Sequence, residues 1–306
     1  MRAKFGRPDL GRYQDRFDVP GANSGSPVTL TWIGVSTLLI DDGTTALMTD
    51  GFFSRPSLFE VAARRISPSH VVIDDALARA GITRLAAVLP VHTHYDHALD
   101  SAVVAARTGA VIVGGRSAAN IARGQGLPEA RIVVVEPGIS LRFGEFELRL
   151  LNSEHCPPDR FPGEITEPVV PPAKAAAYRC GEAWSILVHH RSSDRRLLIQ
   201  GSAGFVPGAL AGMRAEVAYL GVGQLGLQSP DYIEQYWNET VRTVGAQRVV
   251  LIHWDDFFRP LSKPLRAIPF AGDNLDATMR VLGAMADQDR VALNFPTVWQ
   301  RADPWA

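Results

Sequence analysis

The stretch HTHYDH sets His92, His94, Asp96 and His97 within six residues, in a chain of 306 residues that holds only eight histidines. Imidazole nitrogens and carboxylate oxygens are the usual ligands of zinc and related first-row metals. The run before them, AAVLPV, is apolar and strand-like, and a helix is expected over 98–107. The four side chains therefore fall in a strand-to-helix loop, at the carboxyl end of a strand, where open α/β sheets hold their ligands. In extended backbone His92 and His94 point to the same side, so both can grip one ion. Asp96 and His97, past the bend, can face a neighbouring ion. The competing reading is a polar turn whose histidines cap the next helix; the density of ligand types argues against it.

Periodicity and turn residues outline the elements that would hold this loop. Residues 1–27 are rich in Gly, Pro and charge and read as an irregular arm. VTLTWI, STLLID and TALMTD follow, parted by Gly34 and by the DDG turn at 41–43, as a β meander at the edge of a sheet. SLFEVAARR and DDALARAG are helical in texture. Strand and helix then alternate through AAVLPV, AVIVGG, a helix near Ala118, RIVVVE and FELRLL. A second half brings WSILVHH, RRLLIQG and AEVAYLG, then a helix with Ser229 as N-cap and Pro230 at its first position. RVVLIHW, a helix over 274–286 and a last strand VALNF complete the chain. Two β-rich halves with interspersed helices and no visible linker argue for a single α/β layered domain over 1–306 with its helices outside. One stretch interrupts this economy: residues 156–180 carry six prolines and little periodicity. A loop of that length in a compact domain is functional or disordered, and its start directly after His155 favours a place near the active site.

The signature HTHYDH resembles the H-x-H-x-D-H motif of the metallo-β-lactamase-fold metal-dependent hydrolases, and the resemblance runs over roughly 28–295. It implies a four-layer αβ/βα sandwich, with two mixed β-sheets, helices outside and metals at the sheet edge. By the same resemblance His92, His94 and His155 (in LLNSEHCPP) hold a first metal. Asp96, His97 and His253 (in VVLIHWDD) hold a second. Asp50, in LMTDGFF, matches the acidic residue that braces the site from behind. The opening TWIGVSTLLIDDGTTALMTDGFFSRP looks most like the branch of ascorbate-phosphate lactonases and N-acylphosphatidylethanolamine phospholipase D, although Val35 stands where that branch often has histidine. One position departs from the pattern. The G-D-x-G turn whose aspartate bridges the metals reads GSAG here, so Ser202 takes the aspartate's place. A neutral hydroxyl leaves the cation pair one negative charge short, and the second ion is expected to bind more weakly.

Other residues near these motifs can be sorted by type. Asp255 either replaces the missing carboxylate or orients His253, the second being preferred. Trp254, Phe257 and Phe258, in WDDFFRP, are candidates for an apolar pocket, with core packing as the alternative. In the proline-rich loop, Phe161 and the pair Val169 and Val170 are the candidate apolar contacts, and Arg160 is the candidate anion contact. Cys156 adjoins His155, but neighbours in extended backbone point apart, which argues against a thiolate ligand. His189 and His190 read as structural and His70 as surface. Two cysteines are too few for a disulfide framework, so a reducing cytoplasm is expected.

At 46% hydrophobic the chain can bury a large core. A formal charge of −1 and a pI near 6.7, with signs interspersed, offer no basic track for nucleic acid and no acidic tail. The start MRAKFGRPDLGRYQDRF lacks the apolar core of a signal peptide. No run reaches the roughly 20 apolar residues of a membrane span, so no stable membrane insertion is expected. The expected function is zinc-dependent hydrolysis by a metal-bound hydroxide, with one or two ions per chain and manganese or iron as other candidates. The substrate would be a small ester, lactone, cyclic amide or phosphodiester, and the reading leaves room for a homo-oligomer. With the second position empty, Asp96 would be free to act as general base. The competing class is a non-catalytic metal-binding or scaffold member that lost activity with the bridging aspartate. An iron-dependent redox relative comes third; it would carry a further acidic ligand and a flavin domain, and neither is visible.

Overall fold

The computed structural model describes residues 5–306; residues 1–4, the start of the expected arm, lie outside the described residues. In chain order the first half contains β1 (Thr29–Trp32), β2 (Leu38–Asp41), β3 (Ala46–Thr49), α1 (Leu58–Ala63), α2 (His70–Arg79), β4 (Ala87–Leu89), α3 (Tyr95–Ala98), α4 (Ser101–Thr108), β5 (Val111–Gly114), α5 (Arg116–Gly124) and β6 (Ile132–Val134). The second contains β7 (Ser140–Phe143), β8 (Phe146–Ser153), β9 (Ala183–His190), β10 (Arg195–Gln200), β11 (Val217–Gly221), α6 (Pro230–Trp237), β12 (Arg248–Ile252), α7 (Leu275–Asp289), β13 (Ala292–Asn294) and β14 (Arg301–Ala302).

These strands form two seven-stranded sheets, ordered β14-β1-β2-β3-β4-β5-β6 and β13-β12-β11-β10-β9-β8-β7. Each sheet is mixed. In the first, β14, β1, β2 and β3 pair antiparallel and β3 to β6 run parallel. In the second, β7 to β10 are antiparallel and β10 to β13 parallel. Alternation along the strands gives the layers. Leu30, Trp32, Leu38, Ile40, Leu47 and Leu89 face inward and share one core with the second sheet and with Ile233, Trp237 and Leu282 of α6 and α7. Leu39, Met48, Val88 and Ile112, the alternate residues, pack outward against α2, α4 and α5. Side chains of period two thus bury both faces of a sheet between its partner and a helical layer. The result is the αβ/βα sandwich that the resemblance implies.

Local sequence explains the joints. In the β2–β3 turn the Asp41 and Asp42 carboxylates accept the backbone N–H groups of Gly43, Thr44 and Thr45, and Gly43 takes the left-handed backbone (φ +84°) that it adopts without strain. Ser229 Oγ accepts the Tyr232 N–H at the start of α6, with Pro230 first in the helix.

Four expectations need correction. The helix placed at 98–107 begins earlier, at Tyr95, and is broken at 99–100, so Asp96 and His97 ride on the first helical turn. The N-terminal arm is not wholly irregular: a 3₁₀ turn covers Leu10–Arg16, capped by Asp9, and behind it Phe17 stacks on Phe295 at 5.1 Å. The edge strands β7 and β14 are additional: β7 buries none of its four residues, and β14 at two residues is too short to show a pattern. The proline-rich loop is tied down at several points. Asn120 Nδ2 donates to the Ile165 carbonyl, Ile165 N–H to Ser117 Oγ, and Ile66 and Ala173 exchange backbone hydrogen bonds. No helix among the described residues is long and apolar enough to cross a membrane.

Candidate metal centre

The exits of β3, β4, β8 and β12 converge at one end of the sandwich. Asp50, just past β3, bonds β4 at both ends of its own backbone and side chain: its N–H donates to the Leu89 carbonyl at 3.1 Å, and its Oδ1 accepts the Val91 N–H at 2.9 Å. That fixes the backbone on which His92 stands. His155 follows the end of β8 by two residues and His253 follows β12 directly. His253 has φ +59° and donates its N–H to the Val35 carbonyl, and Val35, Asp50, Arg55 and Gln224 also have positive φ. Five non-glycine residues in this strained region around one site are the pattern of a functional centre.

The donors fall into two clusters. His92, His94 and His155 offer ligand atoms that lie within 4.8 Å of one another, and so do Asp96, His97 and His253. Hydrogen bonds decide which ring nitrogens stay free. His155 Nδ1 donates to the Cys156 carbonyl (2.7 Å), and His97 Nδ1 donates to Asp50 Oδ2 (2.8 Å). His94 Nε2 faces Asp159 Oδ1 at 3.2 Å. Left over are His155 Nε2, His97 Nε2 and His94 Nδ1. His97 Nε2 and His253 Nε2 stand 3.2 Å apart, with Asp96 Oδ2 at 3.8 Å and 3.6 Å from them.

His92 is the telling residue. It is 1% exposed, yet neither ring nitrogen has a hydrogen-bond partner, and His253 Nδ1 is likewise unpartnered. A buried polar atom left unpaired costs about 1–3 kcal/mol. A cation shared with His94 and His155 would satisfy one of the His92 nitrogens. The protonation states agree. Burial, reinforced by the neighbouring imidazoles, holds His92 and His97 well below the ordinary histidine range. Burial lowers His253 and takes His155 down to about 4. Neutral imidazoles present lone pairs, which is what a metal needs. The donor set fits divalent first-row ions.

The remaining expected residues scatter. Ser202 lines the same cavity as His94, Asp96, His155 and His253, and its Oγ accepts the Cys156 N–H at 3.0 Å. Arg160, Phe161, Phe257 and Phe258 line it too. Trp254 does not: it is 2% exposed and packs on Trp32 and Phe295, because it leaves the strand end opposite to His253. Asp255 is not a ligand of the clusters and makes no hydrogen bond to the His253 ring, although its charge acts on His253 and both residues bond the Val35 backbone. Its Oδ2 pairs with Arg55 Nη2 at 2.7 Å and its Oδ1 accepts the Val35 N–H. Val169 is buried under the loop and Val170 is exposed, and neither reaches the cavity. Cys156 is a buried free thiol, pushed up to about 12 by burial, and stands outside both clusters. His189 and His190 bond Asp194 and Ser193, away from the site, and His70 is exposed.

Asp159 is the residue that the sequence reading missed. Burial raises its carboxyl, but the hydrogen bond and charge of His94 outweigh this and bring it below the usual carboxylate range. Cys180 joins His94 and Asp159 in a third close cluster. Its thiol is raised by burial and by Asp159, so it is a protonated donor to the carboxylate rather than a thiolate ligand. A solitary aspartate in a proline-rich loop carries no spacing signal.

No family model matches the chain, and no curated protein matches it in sequence. Solved structures do. Igni18, a metallo hydrolase from the archaeon Ignicoccus hospitalis, is 14% identical at a TM-score of 0.51, covering 89% of this chain and 96% of its own. An isothiocyanate hydrolase from Delia radicum gut bacteria is 15% identical at 0.55, covering 89% and 98%. CmlA, a diiron β-hydroxylase from Streptomyces venezuelae, is 12% identical at 0.52, covering 92% of this chain and 54% of its own. The likeness is one of fold, and the fold is the metallo-β-lactamase sandwich.

Proposed function

We propose that this metallo-β-lactamase-fold chain is a metal-dependent hydrolase, with zinc at two cation positions and a small ester, lactone, cyclic amide or phosphodiester as substrate. The observation that carries the reading is the pair of three-donor clusters at a cavity of about 490 Å³, with His92 buried and unpartnered among them. That volume lies within the roughly 300–1,000 Å³ of small-molecule sites. His92, His94 and His155 would hold the first ion and Asp96, His97 and His253 the second. When bound, such an ion lowers the pKa of water to near neutrality and polarises the carbonyl or phosphoryl oxygen under attack. The chain's own residues do the rest. As a carboxylate, Asp50 would hold the proton of His97 on Nδ1, 2.8 Å from its Oδ2, and so keep Nε2 open. With the second position empty, Asp96 Oδ2 is free to take a proton from the attacking water. Hydrolysis by Igni18 and the isothiocyanate hydrolase on this fold supports the reading, and the diiron centre of CmlA makes the identity of the ion the first thing to measure.

Metal analysis of protein purified without chelator should find one to two equivalents, mainly zinc. His92→Ala and His155→Ala should remove the tighter ion, and His253→Ala the weaker. Unchanged metal content in all three variants, or a protein that holds no metal, would sink the proposal.

A further inference from the structure

We infer that the substrate of this site is an amphipathic anion: an apolar body bearing a carboxylate or phosphate apart from the bond that breaks. The inference rests on the hydrolase reading and adds to it the charge and polarity of the substrate. Leu58, Val61, Phe161, Phe257, Phe258 and Ile268 give the cavity an apolar wall. Leu58 and its neighbour Phe59 are 60% and 64% exposed, so apolar surface extends to the mouth. Into this apolar setting the chain puts three cations, Arg64, Arg160 and Lys174, whereas among the described residues Asp96, one of the proposed metal donors, is the sole carboxylate lining the cavity. The chain as a whole has a formal charge of −1, so the cavity is a local excess of positive charge.

Several arginines of this protein are paired, among them Arg55 with Asp255, Arg107 with Asp74, Arg123 with Glu129 and Arg242 with Asp289; the cations of the cavity are set apart by their place on its wall. Arg64, Arg160 and Lys174 are exposed at the cavity rim and, among the described residues, are held by no salt bridge, although Arg64 lies near enough to Glu60 to help lower its carboxyl. The geometry keeps them at the cavity. The Ile66–Ala173 bridge brings the segments of Arg64 and Lys174 together at one edge, and the Arg64 guanidinium lies 5.4 Å from the Phe59 ring centre. Arg160 leaves the loop next to Asp159, at the histidine end. Unpaired cations around a low-dielectric cleft focus their field on its interior and draw in anions. A neutral apolar substrate would leave the cations without purpose, and a small polar anion would leave the apolar wall unused.

Calorimetric titration of the purified, metal-containing protein with octyl phosphate, 1-octanol and inorganic phosphate tests this, with octanoate added to rank the two head groups. Octyl phosphate should bind at least about tenfold tighter than either octanol or phosphate, the worth of one charge-assisted hydrogen bond or more. The double variant Arg64→Gln, Lys174→Gln should lose about tenfold in affinity for octyl phosphate while keeping its affinity for octanol and its metal content. Equal binding of octanol and octyl phosphate overturns the inference. So does unchanged octyl phosphate binding in the double variant, which would mean that the metal centre alone holds the phosphate. Because the readout is binding, a protein that proved to hold no metal would end the hydrolase reading and leave this comparison intact.

Discussion

At the scale of single residues, Asp159 does for His94 what Asp50 does for His97: a carboxylate takes one ring nitrogen and leaves the other free for a ligand. Such partners typically change metal affinity by about 10–100-fold. Asp159→Ala should therefore weaken the first ion by that order in competition with a chromophoric chelator, while Asp159→Asn, which keeps an oxygen acceptor, should recover much of it. Equal affinities in all three proteins would show that the contact is incidental. The contact ties the proline-rich loop to His94, so a metal held by His94 would couple the loop to metal binding. Ser202 makes the opposite case, a position where charge is absent. Ser202→Asp should tighten the weaker ion, because it adds a negative charge between two cations while its oxygen still accepts the Cys156 N–H. No gain at the weaker site would mean that Ser202 does not lie between them. His92, His94, Asp96 and His97 were legible because their ligand chemistry is concentrated in six residues. Asp159 was not, since only closure of the loop over His94 gives it a role.

At the scale of elements, the Arg55–Asp255 pair joins three segments around the site. Asp255, past β12, accepts from Arg55 after β3 and from the Val35 N–H in the β1–β2 turn. Both side chains are fully buried. Gly34 belongs to this arrangement: it has φ +89°, and a Cβ there would lie 1.8 Å from Arg55 Nη2. Breaking a buried pair from one side leaves a charge without compensation, at about 3–5 kcal/mol. Arg55→Met should destabilise the protein by that amount in chemical denaturation. The double variant Arg55→Met, Asp255→Asn should recover roughly 1–3 kcal/mol, since the stranded charge is gone and Val35 keeps its acceptor. A single variant within 1 kcal/mol of the native chain would show that water reaches the pair. The sequence put Asp255 near the site by proximity to His253, but proximity along the chain does not give direction. The left-handed turn at His253 sends the two side chains to different partners. The early start of α3 was hidden for a related reason: the residues that begin it are ligand types, which carry no apolar period to mark a helix.

At the scale of the whole molecule, the two β-rich halves visible in the sequence are the two sheets, and the αβ/βα order follows from their strand alternation. The return of β14 to the first sheet was invisible, because two residues cannot display a period of two. The consequence of this architecture lies in where the donors come from. His92 and His94 follow β4 of the first sheet, and His155 follows β8 of the second; Asp96 and His97 stand on the first side and His253 on the second. Each three-donor cluster therefore spans both sheets, so a bound ion cross-links the halves as well as supplying chemistry. An ion that binds only the folded chain adds RT ln(1 + [L]/Kd), about 4 kcal/mol when free metal is a thousand times Kd. At roughly 2 °C per kcal/mol for a large domain, chelation should lower Tm by about 8 °C, and added zinc should restore it. In His92→Ala, or in His253→Ala, part of that gain should vanish, and in the double variant nearly all of it, because neither cluster then keeps three donors. A Tm that does not move when analysis confirms that the metal has left would show that the interface between the sheets, whose core is the largest in the molecule, is held by packing alone.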